Sequence, residues 1–294
     1  MNTKLISWLL FIGLAFIWGS SFILMKEGLV ALSAFQVASL RIIASGVVMI
    51  PVAYKAFQVI PRNKLLILFI SGILGSLLPA YLFCIAEQEI DSALAGTLNS
   101  LTPIFVIIVG AIFFQNKASA AKIIGIMIAF GGSVLLFFNQ PHFSEKNNLV
   151  YVLYIVLATI MYGINVNTVQ RYLHDIPSVR AVAVALTLIM IPAFIVLVFT
   201  GYFKMDLSNK AVLASTGYSA LLGLGGTAIA SVLFYILIKR AGAVFSSMVT
   251  YGIPVVANFW GVIYGEQIGW IQILCLLIIL AGVYVANRKN LAVE

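Results

Sequence analysis

Residues 98–114 read LNSLTPIFVIIVGAIFF, an apolar run long enough for most of a membrane helix but interrupted by Pro103. A proline inside a helix removes one backbone hydrogen bond and clashes with the preceding turn, at a cost of roughly 3 kcal/mol or more. The same interruption recurs 151 residues later, where Pro254 takes the place of Pro103 and Gly261 that of Gly110. At the same offset Gly72 and Gly75 fall on Gly223 and Gly226, and Leu82-Phe83 on Leu233-Phe234. After a single-residue gap the offset becomes 150, pairing Asn116 with Glu266, Ile123 with Ile273 and Gly132 with Gly282; earlier, Trp18-Gly19 falls on Tyr162-Gly163 at 144. A collinear set with slowly drifting offsets implies one unit used twice.

The unit is a membrane unit. Of 294 residues, 63% are hydrophobic and 9% charged, against a charged fraction near 25% in soluble globular domains. Apolar runs between polar breaks predict ten helices, near 5–25, 34–54, 64–86, 92–114, 120–138, 149–170, 178–200, 211–237, 243–264 and 269–287. Each approaches the ~20 residues that cross a bilayer core. The first run has a basic start, but it is too long and lacks the small-residue cleavage site of a signal peptide. Cys84 and Cys275 lie inside apolar runs and read as small hydrophobes, so no disulfide, metal site or cofactor is expected.

With the N-terminus in the cytoplasm, twelve Lys and Arg fall in inside segments and four (Lys26, Lys146, Lys204 and Lys210) in outside loops; Arg41, within the second span, completes the seventeen. That bias expects both termini to be cytoplasmic. It also places the basic residues in topology-setting loops rather than in a nucleic-acid-binding patch. Five helices per unit is an odd number, so the second copy enters the bilayer from the opposite side. The loops agree: Glu87, Glu89 and Asp91 in one copy are matched by Lys239 and Arg240 in the other. The expected fold is therefore an all-α membrane protein of ten transmembrane helices, built as two inverted five-helix repeats over 1–144 and 145–294. Inverted repeats are the architecture of secondary transporters, which bind substrate near the midplane.

Several stretches carry a resemblance to a known family: WGSSFILMK (18–26), Arg41 in the second span, SALAGTLNSLTPIF (92–105) and GEQIGWIQILCLLIILAGVYV (265–285). Together they resemble the drug/metabolite transporter superfamily, and within it the EamA family of ten-helix bacterial exporters. QNKASAAKIIG (115–125) departs from the pattern by placing Asn116 where the family's motif has a glutamate. The resemblance implies a monomer-sized transporter in the bacterial inner membrane, with a cavity lined by the first, third, fourth, sixth, eighth and ninth helices.

Charged groups in a bilayer face a cavity, a partner or the interface. Arg41 lies roughly 12 Å below the outer end of its helix by the helical rise, and reads as an anchor or an interhelical ion pair. Glu266 reads as the cap of the last span. Both are kept as structural or gating charges. The substrate-binding candidates are neutral: Trp18, Ser21, Tyr81, Asn99, Thr102, Tyr162, Asn165, Asn167, Tyr235, Tyr251 and Asn258. Thr227 joins them as a mid-span polar group. Each asparagine is either packing glue between helices or part of a wet cavity. Pro103, Pro254, Gly223 and Gly226 are expected to kink or hinge their helices. Gly125-xxx-Ala129 and Ser219-xxx-Gly223 are spacings that let helices approach closely.

The resemblance and a cavity rich in rings and amides expect a secondary transporter, an exporter of amino acids or related small metabolites working by alternating access. With Arg41 assigned elsewhere, no cation is left at mid-span to favour phosphorylated or multiply anionic substrates. A second reading is an importer or exchanger of a nucleotide-like or cationic metabolite such as S-adenosylmethionine. A third is a non-transporting scaffold. Catalysis is not expected, because no His, Asp or Glu lies at mid-span beside a Ser or Cys.

Overall fold

The computed structural model describes residues 3–90, 92–138, 149–263 and 269–287. Every regular element among them is helical. In chain order they are α1 (Thr3–Gly28), α2 (Ala34–Phe57), α3 (Arg62–Gly72), α4 (Leu78–Ala86), α5 (Ser92–Asn99), α6 (Thr102–Phe114), α7 (Ala120–Phe138), α8 (Leu149–Tyr172), α9 (Ser178–Phe199), α10 (Lys210–Leu222), α11 (Ala230–Ser247), α12 (Gly252–Ile263) and α13 (Trp270–Asn287). Eight helices among the described residues are long and apolar enough to cross a membrane, and Ala120–Leu136 is a shorter apolar one. The chain is a multi-pass membrane protein.

One of the eight, Lys210–Val256, runs for 47 residues. At 1.5 Å per residue that is about 70 Å, more than twice a ~30 Å bilayer core. It is broken at Gly242, whose φ of 84° and ψ of 165° are outside the helical region, a conformation that glycine adopts without a Cβ clash. There the Ala243 N–H donates to Gln170 Oε1 at 2.6 Å, so the first amide after the break finds a partner on α8.

Local signals set the other ends. Ser33 caps α2 with a complete capping box, its side chain accepting from the Gln36 amide while the Gln36 side chain accepts from Ser33 N–H. Asn209 caps α10. Pro61 and Pro177 stand just before α3 and α9, where a missing N–H costs nothing. Gln115 takes a left-handed φ of 55° at the end of α6.

Helix pairing follows the sequence repeat. α2 packs on α9 and α7 on α13, each helix against its own counterpart. The remaining interfaces come in matched sets: α6–α8 with α12–α1, α4–α8 with α11–α1, and α3–α9 with α10–α2. The glycines show this atom by atom. A Cβ at Gly72 would stand 2.9 Å from the Ala185 carbonyl oxygen, and one at Gly223 would stand 3.0 Å from Ala44 Cβ and against the Arg41 carbonyl. Ala185 lies 144 residues after Arg41, the offset already found for Trp18 and Tyr162.

Two departures from regular helix also recur. Ile73–Leu77, between α3 and α4, is π-helical, and so is Gly223–Ile229, between α10 and α11. Shifted by 151, the first becomes 224–228, inside the second. Gly223 and Gly226 therefore sit in a widened turn rather than a sharp kink. The prolines do more than kink. α5 stops at Asn99 and α6 starts at Thr102, and the amides of Ile104 and Phe105 both turn to the Leu101 carbonyl. In the second copy a 3-10 turn, Met248–Tyr251, leads into α12.

Candidate functional site: a central cavity at the helix breaks

The breaks and π turns converge on one cavity, which leaves about 110 Å³ for the centres of water-sized molecules; a single water needs about 10–15 Å³. α1 supplies Trp18, Ser21, Phe22 and Met25; α2 supplies Arg41; the third span supplies Gly72, Gly75, Ser76 and Phe83. Asn99 and Thr102 flank the Pro103 break, and Ser247, Thr250 and Ile253 its counterpart. α8 contributes Tyr162, Asn165 and Val166, α9 contributes Val182, Ala185 and Leu186, and the eighth span contributes Gly226, Thr227, Ser231, Phe234 and Tyr235.

The walls are fixed by contacts between the two copies. Ser71 Oγ donates to Asn165 Oδ1 at 2.5 Å and takes the Tyr235 hydroxyl at 2.6 Å, tying α3, α8 and α11 together. Trp18 Nε1 donates to the Gly226 carbonyl at 3.1 Å, inside the π turn. Thr102 Oγ1 donates to Asn99 Oδ1 at 3.2 Å across the break. Phe83 stacks on Tyr162 at 6.2 Å between ring centroids and meets Phe22 edge-on at 6.4 Å, while Trp18 meets Phe234 at 5.0 Å. Two ring clusters thus share the lining with amides and hydroxyls. Also in the lining, Arg41 Nε donates to Thr227 Oγ1 at 2.6 Å. Among the described residues no Asp or Glu lines the cavity.

The sequence profile of the EamA-like transporter family matches residues 5–138 and again 149–288. The chain belongs to this family. It is 25% identical over 93% of its length, and 95% of the relative's, to a protein named an uncharacterized transporter of Archaeoglobus fulgidus. It is 24% identical to the uncharacterized transporter YoaV of Bacillus subtilis over 93% and 94% of the two chains. It is also 23% identical to solute carrier family 35 member F5 of Bos taurus, over 47% of this chain and 28% of that one. A solved crystal structure, 17% identical, superposes on 96% of both chains with a TM-score of 0.73, which establishes the shared fold. The protein is accordingly a membrane transporter of small solutes and not an enzyme.

Within this EamA-like transporter, seven of the expected substrate-binding residues line the cavity: Trp18, Ser21, Asn99, Thr102, Tyr162, Asn165 and Tyr235. Three are placed elsewhere. Tyr81 is buried, with its hydroxyl 2.8 Å from Ser39 Oγ on α2. Tyr251 is fully buried and donates to the Ile126 carbonyl of α7 at 3.0 Å. Asn167 is packing glue: its amide donates to the Val106 and Gly163 carbonyls at 2.9 Å each, and its oxygen accepts from Asn116. Glu266 and the side chain of Asn258 lie outside the described residues.

Arg41 corrects the sequence reading most. It is neither a surface anchor nor part of an ion pair with any described residue; it lines the cavity. α2 and α9 join the six helices that the resemblance expects around it. Phe83 and Phe234 were visible as a repeat match, but nothing in the sequence marked them as wall residues. Because Tyr81 is outside the cavity, Tyr81→Phe is expected to lower stability by about 0.5–1 kcal/mol, one lost hydrogen bond, with transport rate and KM unchanged. A melting curve and liposome kinetics on the same preparation check both halves.

Proposed function

We propose that this protein is a secondary transporter of the bacterial inner membrane that exports small organic metabolites, amino acids or closely related compounds, by alternating access at the central cavity. In this reading the chain crosses the bilayer ten times, as inverted five-helix repeats over 1–144 and 145–294, with both termini in the cytoplasm. The break at Gly242 supports it by dividing Lys210–Val256 into two crossings, and α7, 19 residues and about 28 Å long, supplies another. Pro103 and Pro254 then lie about 16 Å deep from opposite faces, near the midplane.

The observation that carries the proposal is that both copies bring their broken helix and their π turn to the same cavity, lined by rings, amides and hydroxyls. Irregular backbone at membrane depth is tolerated where it lines a polar cavity, and in secondary transporters such broken helices hold the substrate. A scaffold has no use for such a chamber. Arg41 also disfavours a cationic substrate such as S-adenosylmethionine, since no carboxylate among the described residues lines the cavity to offset two like charges.

Reconstitution into liposomes tests the proposal. Vesicles loaded with a radiolabelled panel of amino acids and nucleosides are expected to release at least one amino acid faster than protein-free vesicles, with saturation. Release of nucleosides alone, or of nothing, rejects it.

A further inference from the structure

Arg41 has no counterpart. Its equivalent in the second copy is Ala185, so the duplicated fold carries one guanidinium on one wall of the cavity. One of its five N–H groups is used, on Thr227; its terminal NH₂ groups have no described protein partner. The one ion pair among the described residues, Lys64–Asp175, joins the start of α3 to the loop between α8 and α9. A charge held at membrane depth is costly unless water or an opposite charge meets it, and here it faces the chamber that both repeats build.

Its neighbours narrow what it meets. Asn165 and Asn99 each accept a side-chain hydrogen bond through their oxygens, from Ser71 and Thr102. Both residues line the cavity; the Asn165 amide lies beside the Tyr235 hydroxyl, and the Asn99 NH₂ has no hydrogen bond to a described residue. Trp18 Nε1 is already spent on Gly226. The polar part of the cavity thus holds one full positive charge, while Phe22, Phe83 and Tyr162 in one cluster and Trp18 and Phe234 in another offer apolar rings. Guanidinium pairs with planar oxyanions through parallel N–H donors.

From this arrangement we infer that Arg41 is the specificity-determining residue of the transport site, and that it selects substrates with a single carboxylate attached to an apolar or aromatic body. The inference rests on the cavity being the transport site. A phosphate monoester carries close to two negative charges, and no second Lys or Arg among the described residues lines the cavity to balance it. A free ammonium is not required: an amino acid fits if its ammonium reaches the carbonyls left without helical donors at the Pro103 break, and a simple carboxylic acid fits without it.

The test uses the full-length protein and four probes on one ring: L-phenylalanine, 3-phenylpropionate, L-phenylalaninamide and phenyl phosphate. Affinity is read from thermal stabilisation of the detergent-purified protein, and transport from counterflow in liposomes. Wild type is expected to take the two carboxylates at least about 30-fold better than the amide, the size of effect seen for buried charge pairs. Arg41→Gln is expected to lose that preference, and Arg41→Lys to keep it at weaker affinity. If Arg41→Gln does not fold, persistence of the preference in Arg41→Lys beside wild type carries the test. Equal use of acid and amide by wild type, or an undiminished preference in Arg41→Gln, overturns the inference while leaving the transporter reading in place. Tighter binding of phenyl phosphate than of 3-phenylpropionate overturns it in favour of phosphate. No response to any probe, together with no release in the liposome panel, overturns both.

Discussion

Gly125→Leu is expected to leave little folded protein. A Cβ at Gly125 would stand 2.6 Å from both the Ala286 Cβ and the Gly282 carbonyl oxygen on α13, and one at Gly282 would stand 2.6 Å from the Gly125 carbonyl and 2.8 Å from Ala129 Cα. These neighbours are mainly backbone, which cannot swing aside like a flexible side chain. A single extra methylene in a packed core costs about 1–3 kcal/mol; a leucine here adds four carbons against main chain, so α7 and α13 must part. Between helices in a bilayer, close packing is a main source of attraction, and separation removes it. The control lies six residues on: a Cβ at Gly131 meets nothing within 4 Å, so Gly131→Leu is expected to extract and melt like wild type. Gel filtration in detergent compares the two, and a normal monodisperse peak for Gly125→Leu would show that the helices do not meet there.

The second large effect is on transport. Asn165→Leu keeps the volume of the side chain but removes a polar group from the cavity lining and the acceptor that holds Ser71. Ser71 and Tyr235 still have each other at 2.6 Å, so no buried hydroxyl is orphaned and a folded protein is expected. Transport should fall at least about tenfold, the equivalent of one lost hydrogen bond to a charged or polar substrate at ~1.4 kcal/mol or more. Wild-type kinetics in liposomes would remove Asn165 from the site.

Depth along a helix is legible in this sequence; direction around it is not. Pro103 and Pro254 announced their level, and the matching offsets announced the glycine contacts. Tyr81 and Tyr251 were at plausible depths, yet both point at neighbouring helices and satisfy their hydroxyls there. In a soluble helix the apolar face marks the inside; in a membrane both lipid and core are apolar, so that cue is lost. The π turns add to this, because each widens the helix and re-aims the residues beyond it, including Tyr235. Arg41 was misjudged for the same reason. At its depth an arginine that snorkels outward and one that faces a chamber read alike. Asn167 and Asn165, two residues apart on α8, show how finely direction decides between glue and site.

The Ser71–Asn165–Tyr235 knot also bears on how the carrier rests. Two identical halves rocking about a shared axis would prefer neither side, because each opening would be the mirror of the other. Here the positions that answer Ser71 and Tyr235 in the opposite copy are Leu222 and Cys84, which cannot form the same hydroxyl bridge. In the proposed mechanism, the hydroxyl bridge exists on one seam only, while the α1–α10 side is held by Trp18 on the Gly226 carbonyl and Ser215 on the Glu27 carbonyl. Under that mechanism the two closures are unequal, and these few mismatched residues give the empty protein a preferred way to face.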